Sequence, residues 1–128
     1  MLSEKTIITT PQAPASIGTY SQAVKIGKTV YISGQIPLDP DTMEVCSVEF
    51  GSQTTQVFEN LKAIAEAAGG SLNQVAKLTI FMIDLSFFPQ VNEIMAQYFD
   101  WPYPARAVVG VKELPKAVQI EMEAIMAL

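Results

Sequence analysis

Pro104-Ala105-Arg106-Ala107-Val108-Val109-Gly110-Val111, and after it Val118-Gln119-Ile120-Glu121-Met122-Glu123-Ala124-Ile125-Met126, decide how this chain is read. Both runs are rich in apolar and β-branched residues, so each predicts a strand, over 105–111 and 118–126, joined through 112–117. Strand side chains alternate between two faces. Ala107, Val109 and Val111 share one face, as do Val118, Ile120 and Met122. Read as a hairpin in a buried sheet, the two apolar sets belong on the same side. Arg106, Val108 and Gly110 then share the other side with Glu121 and Glu123, and Arg106 stands opposite one of the two glutamates. A guanidinium in an apolar strand needs an anionic partner, and its planar fork suits a carboxylate. A plain ion pair that braces the hairpin meets the same need, so position alone does not separate structure from chemistry.

Arg106 is the only arginine, and the chain has no histidine. The commonest acid/base group and metal ligand is therefore missing. Any catalysis falls to a carboxylate, a water molecule and Arg106. The net charge of −5, the pI of about 4.6 and the scattered lysines argue against a nucleic-acid partner. Charged residues make up only 16% of the chain, below the usual quarter, which suggests a surface covered by copies of itself. The single Cys46 allows no intrachain disulfide and fits a reducing compartment. The opening Met1-Leu2-Ser3-Glu4-Lys5 has no leader character, and no apolar run is long enough to span a bilayer. The expected protein is cytoplasmic, with no membrane partner.

Outward from the two C-terminal strands, the remaining elements follow from periodicity and punctuation. Residues 5–9 predict an edge strand, ended by Pro11 and Pro14. Strands at 22–26 and 29–33 flank Gly27-Lys28 as a tight hairpin. Residues 37–42 form a Pro- and Asp-rich loop. A helix over 52–68 carries Val57, Leu61, Ile64 and Ala68 on one stripe and stops at Gly69-Gly70. Residues 75–85 predict a central strand. Ser86 is the expected cap of a second helix, with Pro89 in its first turn and Val91, Ile94, Met95 and Tyr98 as its stripe. Residues 100–104 end it. Three strands, helix, strand, helix and two strands make an α+β fold: a mixed sheet with both helices on one face, in a single domain over 1–128. The other face is partly apolar, and self-association would cover it.

The segment 104–111, with Leu114-Pro115-Lys116 and Ile120-Glu121-Met122-Glu123-Ala124-Ile125, resembles the signature of the Rid family, the reactive intermediate deaminases also called YjgF-like proteins. The likeness continues through Ala13-Pro14-Ala15-Ser16-Ile17-Gly18-Thr19-Tyr20-Ser21-Gln22-Ala23, Ile32-Ser33-Gly34-Gln35-Ile36-Pro37, Glu59-Asn60-Leu61-Lys62-Ala63-Ile64, and Phe88 with Val91-Asn92-Glu93. It covers nearly the whole chain and is nearest the enamine/imine deaminases. The resemblance implies a six-stranded mixed sheet similar to the trimeric chorismate mutases, and a homotrimer with three sites between neighbours. It implies hydrolysis of 2-aminoacrylate, 2-aminocrotonate and their imines to 2-oxo acids and ammonia. No metal and no cofactor are implied. The alternatives are a sensor that binds 2-oxo acids without turnover, and the ribonuclease or translation inhibitor of older family descriptions.

By the same resemblance, Arg106 clamps the substrate carboxylate and Glu121 holds the attacking water. Tyr20, Ser33 and Gly34 line the pocket, and Phe88 and Asn92 border it. Each has a plainer reading: Tyr20 as cover for an apolar patch, Ser33 as a turn hydroxyl, Phe88 as core and Asn92 as helix surface. Departures from the family pattern are Thr19 for a proline, Met43 for a turn glycine in a loop expected to lie away from the site, and Val108 where many relatives carry cysteine. Thiol chemistry is thereby excluded at 108, and Cys46 reads as a bystander. The stretch around Trp101-Pro102 is shorter than in many relatives, which bears on substrate range if it borders the cleft.

Overall fold

The computed structural model describes residues 4–128, so Met1, Leu2 and Ser3 of the opening pentapeptide lie outside the described residues. In chain order the regular elements are β1 (Thr6–Ile8), β2 (Ala23–Ile26), β3 (Thr29–Gln35), α1 (Phe50–Ala67), β4 (Val75–Met82), α2 (Phe88–Met95), β5 (Ala105–Gly110) and β6 (Ile120–Ala127). Of the expected helix stripes, Val57, Leu61, Ile64 and Val91 are fully buried and Met95 is buried, whereas Ala68, Ile94 and Tyr98 are half-buried and α2 ends before Tyr98. α1 begins two residues earlier than expected because the Glu49 carboxylate accepts from the backbone N–H groups of Gly51 and Ser52, at 2.7 and 2.8 Å. Gly69, at φ +94°, follows its end. Ser86 is not the cap of α2. Asp84 accepts from the Ser86 N–H at 2.9 Å, and a short 3₁₀ turn over Leu85–Phe87 leads into the helix. Pro89 does sit in its first turn.

The sheet runs β1-β2-β3-β6-β4-β5, with β4 and β5 parallel and every other pair antiparallel. This overturns the C-terminal hairpin. β4, α2 and β5 form a strand–helix–strand crossover, and such a connection sets its two strands side by side and parallel. The chain then returns through a 3₁₀ turn at Pro115–Ala117, and β6 enters between β3 and β4. β5 is left at the sheet edge, where every one of its residues is exposed or half-buried rather than buried.

Register settles the faces. Arg106, Val108 and Gly110 pair with Leu78, Ile80 and Met82, whose side chains are fully buried under the helices. Ile120, Met122 and Ala124 lie on that same face, opposite Met82, Ile80 and Leu78. Glu121 and Glu123 pair with Phe81 and Thr79 on the other, open face. There the cross-strand pairs Tyr31–Ile125 and Phe81–Val109 make two separate apolar spots, with Lys77, Thr79, Glu121 and Glu123 between them, and Tyr31 and Val109 remain 45% and 40% exposed. The single chain leaves both residues uncovered.

Candidate active site

Arg106 and Glu121 do not meet within the chain. Their β4 partners, Leu78 and Phe81, are three residues apart, an odd offset that sends the two side chains to opposite faces. Three residues along a strand and two strand spacings across the sheet separate their Cα atoms by about 14 Å. The sequence placed them on one face because it paired β5 with β6; β4 stands between those strands.

The structure instead gathers the candidate residues into two groups. The first is built on β5 and α2. Arg106 Nη1 donates to Asn92 Oδ1 at 2.6 Å and to Met95 Sδ at 3.5 Å, and its Cζ lies 4.9 Å from the centre of the Phe88 ring. Asn92, Met95 and Phe88 therefore hold the guanidinium with a neutral oxygen, a thioether and a ring face. Guanidinium carries five donors, so most remain for an anion. A cleft of about 530 Å³ opens beside it, lined also by Ala96, Tyr103 and Pro104. Arg106 is exposed, so the lone charge costs little until a ligand or partner covers it. Met95 stands in the sequence only as part of an apolar stripe; its sulfur contact with Arg106 has no signature in helical periodicity.

The second group sits on β3 and β6. The Glu121 carboxylate lies against Gly34, where a Cβ would collide with Oε2. A register shift in β3 between Ile32 and Gln35 brings Gly34 to that position. Glu121 is half-buried, and its pKa is raised, first by that burial and then by the like charge of Glu123. Ser33 Oγ donates to the Ser21 carbonyl at 2.6 Å, so this hydroxyl ties the segment after Tyr20 to the sheet. Gln22 fastens the loop beyond by donating to the carbonyls of Thr10, Ala13 and Pro14. Tyr20 is 52% exposed and lines a second cleft, of about 330 Å³, with Gly34 and Ile17.

Met43 and Lys116 line that second cleft too, so Met43 lies beside the candidate residues Tyr20 and Gly34 rather than away from them. The loop carrying it is folded back by hydrogen bonds from Met43 N to the Asp39 carbonyl (2.7 Å) and from Asp39 N to the Glu44 carbonyl (2.9 Å). The buried Asn60 anchors its base by donating to the carbonyls of Ile36 and Leu38, at 3.3 and 3.1 Å. Among the described residues no helix is long and apolar enough to cross a membrane.

A mixed six-stranded sheet with two helices on one face defines the architectural class. The chain belongs to the family described as Endoribonuclease L-PSP, the YjgF/Rid family, whose profile matches residues 10–128. It is 50% identical over 121 residues to a RutC family protein of Pyrococcus abyssi, covering 94% of this chain and 95% of that one. It is 44% identical over 127 residues to the 2-iminobutanoate/2-iminopropanoate deaminase of Dermatophagoides farinae, covering 99% of each. The crystal structure of RidA from an Antarctic Psychrobacter superposes with a TM-score of 0.93 at 54% identity, over 96% of this chain and 99% of that one.

Proposed function

We propose that this Rid-family deaminase hydrolyses 2-imino acids such as 2-iminopropanoate and 2-iminobutanoate, and that each site is shared between two subunits of a homotrimer. The observation that carries the reading is the pair of half-sites. A small imino acid cannot span about 14 Å and a sheet, so Arg106 and Glu121 of one chain cannot act on the same molecule. Two copies can bring one half-site of each together. The exposed Tyr31 and Val109, backed by the half-buried Ile125 and Phe81, give the open sheet face apolar ground for that association. Three heterologous contacts close into a ring with one site at each boundary.

In the reaction, Arg106 holds the substrate carboxylate with two parallel hydrogen bonds. Asn92 and Phe88 keep the guanidinium pointed. The partner's half-site sets a water beside Glu121, which takes a proton as the water oxygen adds to C2 of the imine and hands it to the imine nitrogen, giving the neutral carbinolamine. Glu121 then carries the carbinolamine's hydroxyl proton to the amine, the C–N bond breaks as the C=O bond forms, and a 2-oxo acid and ammonia leave with the carboxylate restored. An imine carbon is already electrophilic, so positioning and proton transfer carry the chemistry. The raised pKa of Glu121 makes its carboxylate a stronger base than an ordinary glutamate. The family description mentions an endoribonuclease; a net charge of −5 and a chain without histidine weigh against that reading here.

The test generates 2-aminoacrylate from serine with a dehydratase and follows pyruvate with and without the protein. Faster pyruvate release is expected. No acceleration would leave a carboxylate-binding protein without turnover.

A further inference from the structure

Among the described residues the methionines are Met43, Met82, Met95, Met122 and Met126. Met82, Met122 and Met126 are fully buried in the core. The other two each line a cleft, Met95 the one beside Arg106 and Met43 the one beside Tyr20. Met95 is also in contact with a charge, because its sulfur accepts from Arg106 Nη1 at 3.5 Å. The cleft at that contact, of about 530 Å³, is wide enough for a small oxidant to reach the sulfur. A thioether is a weak acceptor and leaves the guanidinium's other donors free for a ligand. A sulfoxide is polar, and its oxygen accepts strongly. The gap has no room for that oxygen. An N–H···O bond takes about 2.7 Å or more, which leaves about 0.8 Å of the 3.5 Å separation, too short for an S–O bond. Either the guanidinium retreats, or the oxygen takes the sulfur's other lone pair and captures a donor. Both pull Arg106 off the direction set by Asn92 Oδ1 at 2.6 Å and the Phe88 ring.

We propose that Met95 is an oxidation site: a peroxide converts its thioether to the sulfoxide, and the new oxygen disables Arg106 as a carboxylate clamp. One peroxide oxygen passes to sulfur, the O–O bond breaks, and the other oxygen leaves with both protons as water. Sulfur is oxidised by two electrons and the peroxide is reduced by two. This role rests on the reading above, in which Arg106 holds the substrate carboxylate. Cys46 is a competing sulfur, since it is exposed, but it lines neither of these two clefts.

The experiment treats the protein with hydrogen peroxide, removes the excess with catalase, and maps sulfoxide at each methionine by peptide mass spectrometry. Sulfoxide is expected at Met95 and Met43 and little at Met82, Met122 and Met126. Coupled pyruvate release and calorimetric binding of propanoate, a plain carboxylate, then read the consequence. Treated wild type should show KM raised about tenfold or more, the scale set by small misplacements of a positioning group, with a smaller change in kcat. Propanoate should bind more weakly by a similar factor. Each variant is compared with its own untreated protein. Met95→Leu nearly conserves volume and cannot take the oxygen, so treatment should cost it nothing. Met43→Leu and Cys46→Ser should lose as much as wild type. An unoxidised Met95, or sulfoxide there with KM and propanoate affinity unmoved, overturns the inference. So does an equal loss in Met95→Leu, protection by Met43→Leu or Cys46→Ser, or a loss that tracks a fall in melting temperature. An untreated wild type inert toward imines overturns the deaminase reading instead, and the propanoate affinity still decides the oxidation site.

Discussion

Replacing Glu121 with glutamine separates its chemistry from its contribution to the fold, because the structure gives the two effects opposite signs. The isostere keeps the volume packed against Gly34 and removes only the charge. Proton transfer by a positioned carboxylate is worth about 10²–10⁴-fold, or about 3–5 kcal/mol of barrier, so kcat/KM should fall by that factor. The effect on stability runs the other way. Half-burial first, and Glu123 second, raise the folded-state pKa of Glu121 above its unfolded value. The folded state therefore holds this proton more tightly. That contribution to stability is whole below the ordinary glutamate pKa and is lost as pH rises through the raised one. At pH 7.5 the ionised carboxylate burdens the fold, and Glu121→Gln should melt at or above wild type. At pH 4 the gap should close. Coupled pyruvate release and thermal melting at the two pH values read both effects. A glutamine variant with full kcat/KM would refute the catalytic role. One that loses activity in step with a drop in melting temperature would mark Glu121 as merely structural.

Three further outcomes follow from the same geometry. Arg106→Ala should cost about 100-fold or more in kcat/KM, the scale of two charge-assisted hydrogen bonds, and Arg106→Lys nearly as much, because an ammonium cannot reproduce the fork. Both should elute as wild type does in size-exclusion chromatography, since β5 carries the residue exposed. Asn92→Ala removes the 2.6 Å bond to Arg106 and should raise KM about tenfold with a smaller change in kcat, as expected when a neighbour that orients a binding group is removed. The acid limb of kcat/KM against pH should lie above the ordinary glutamate range, and Glu123→Gln should move it down by removing the second cause of the shift; an unmoved limb would mean that another group titrates.

The elements were legible because local periodicity encodes them. Val57, Leu61 and Ile64 mark the buried face of α1 wherever the rest of the chain goes, and Gly27-Lys28 marks the β2–β3 turn by itself. The strand partners were not legible in the same way. Alternation in 105–111 is consistent with either face when a strand lies at an edge, half-buried on both sides, and nothing local shows that β6 enters between β3 and β4. The pairing error then carried Arg106 to the wrong face. The candidate residues were legible as a set of types, and their arrangement was not. The solitary Arg106 and the Ile120-Glu121 pair stood out, but their separation by β4 is a property of topology. Met43 was misplaced for a related reason: a loop's return to the sheet depends on the buried Asn60 that anchors it, 17 residues further along the chain.

The central claim is that Arg106 of one subunit works with Glu121 of its neighbour, and subunit mixing tests it most directly. Arg106→Ala and Glu121→Gln proteins, each nearly inactive alone, are unfolded together in equal amounts and refolded. In a ring of three, random assembly makes about three-quarters of the rings mixed, and each mixed ring holds one intact site out of three. The mixture should therefore recover about a quarter of wild-type activity. A mixture confirmed as hybrid by mass spectrometry, yet no more active than its two parents, would contradict the shared site.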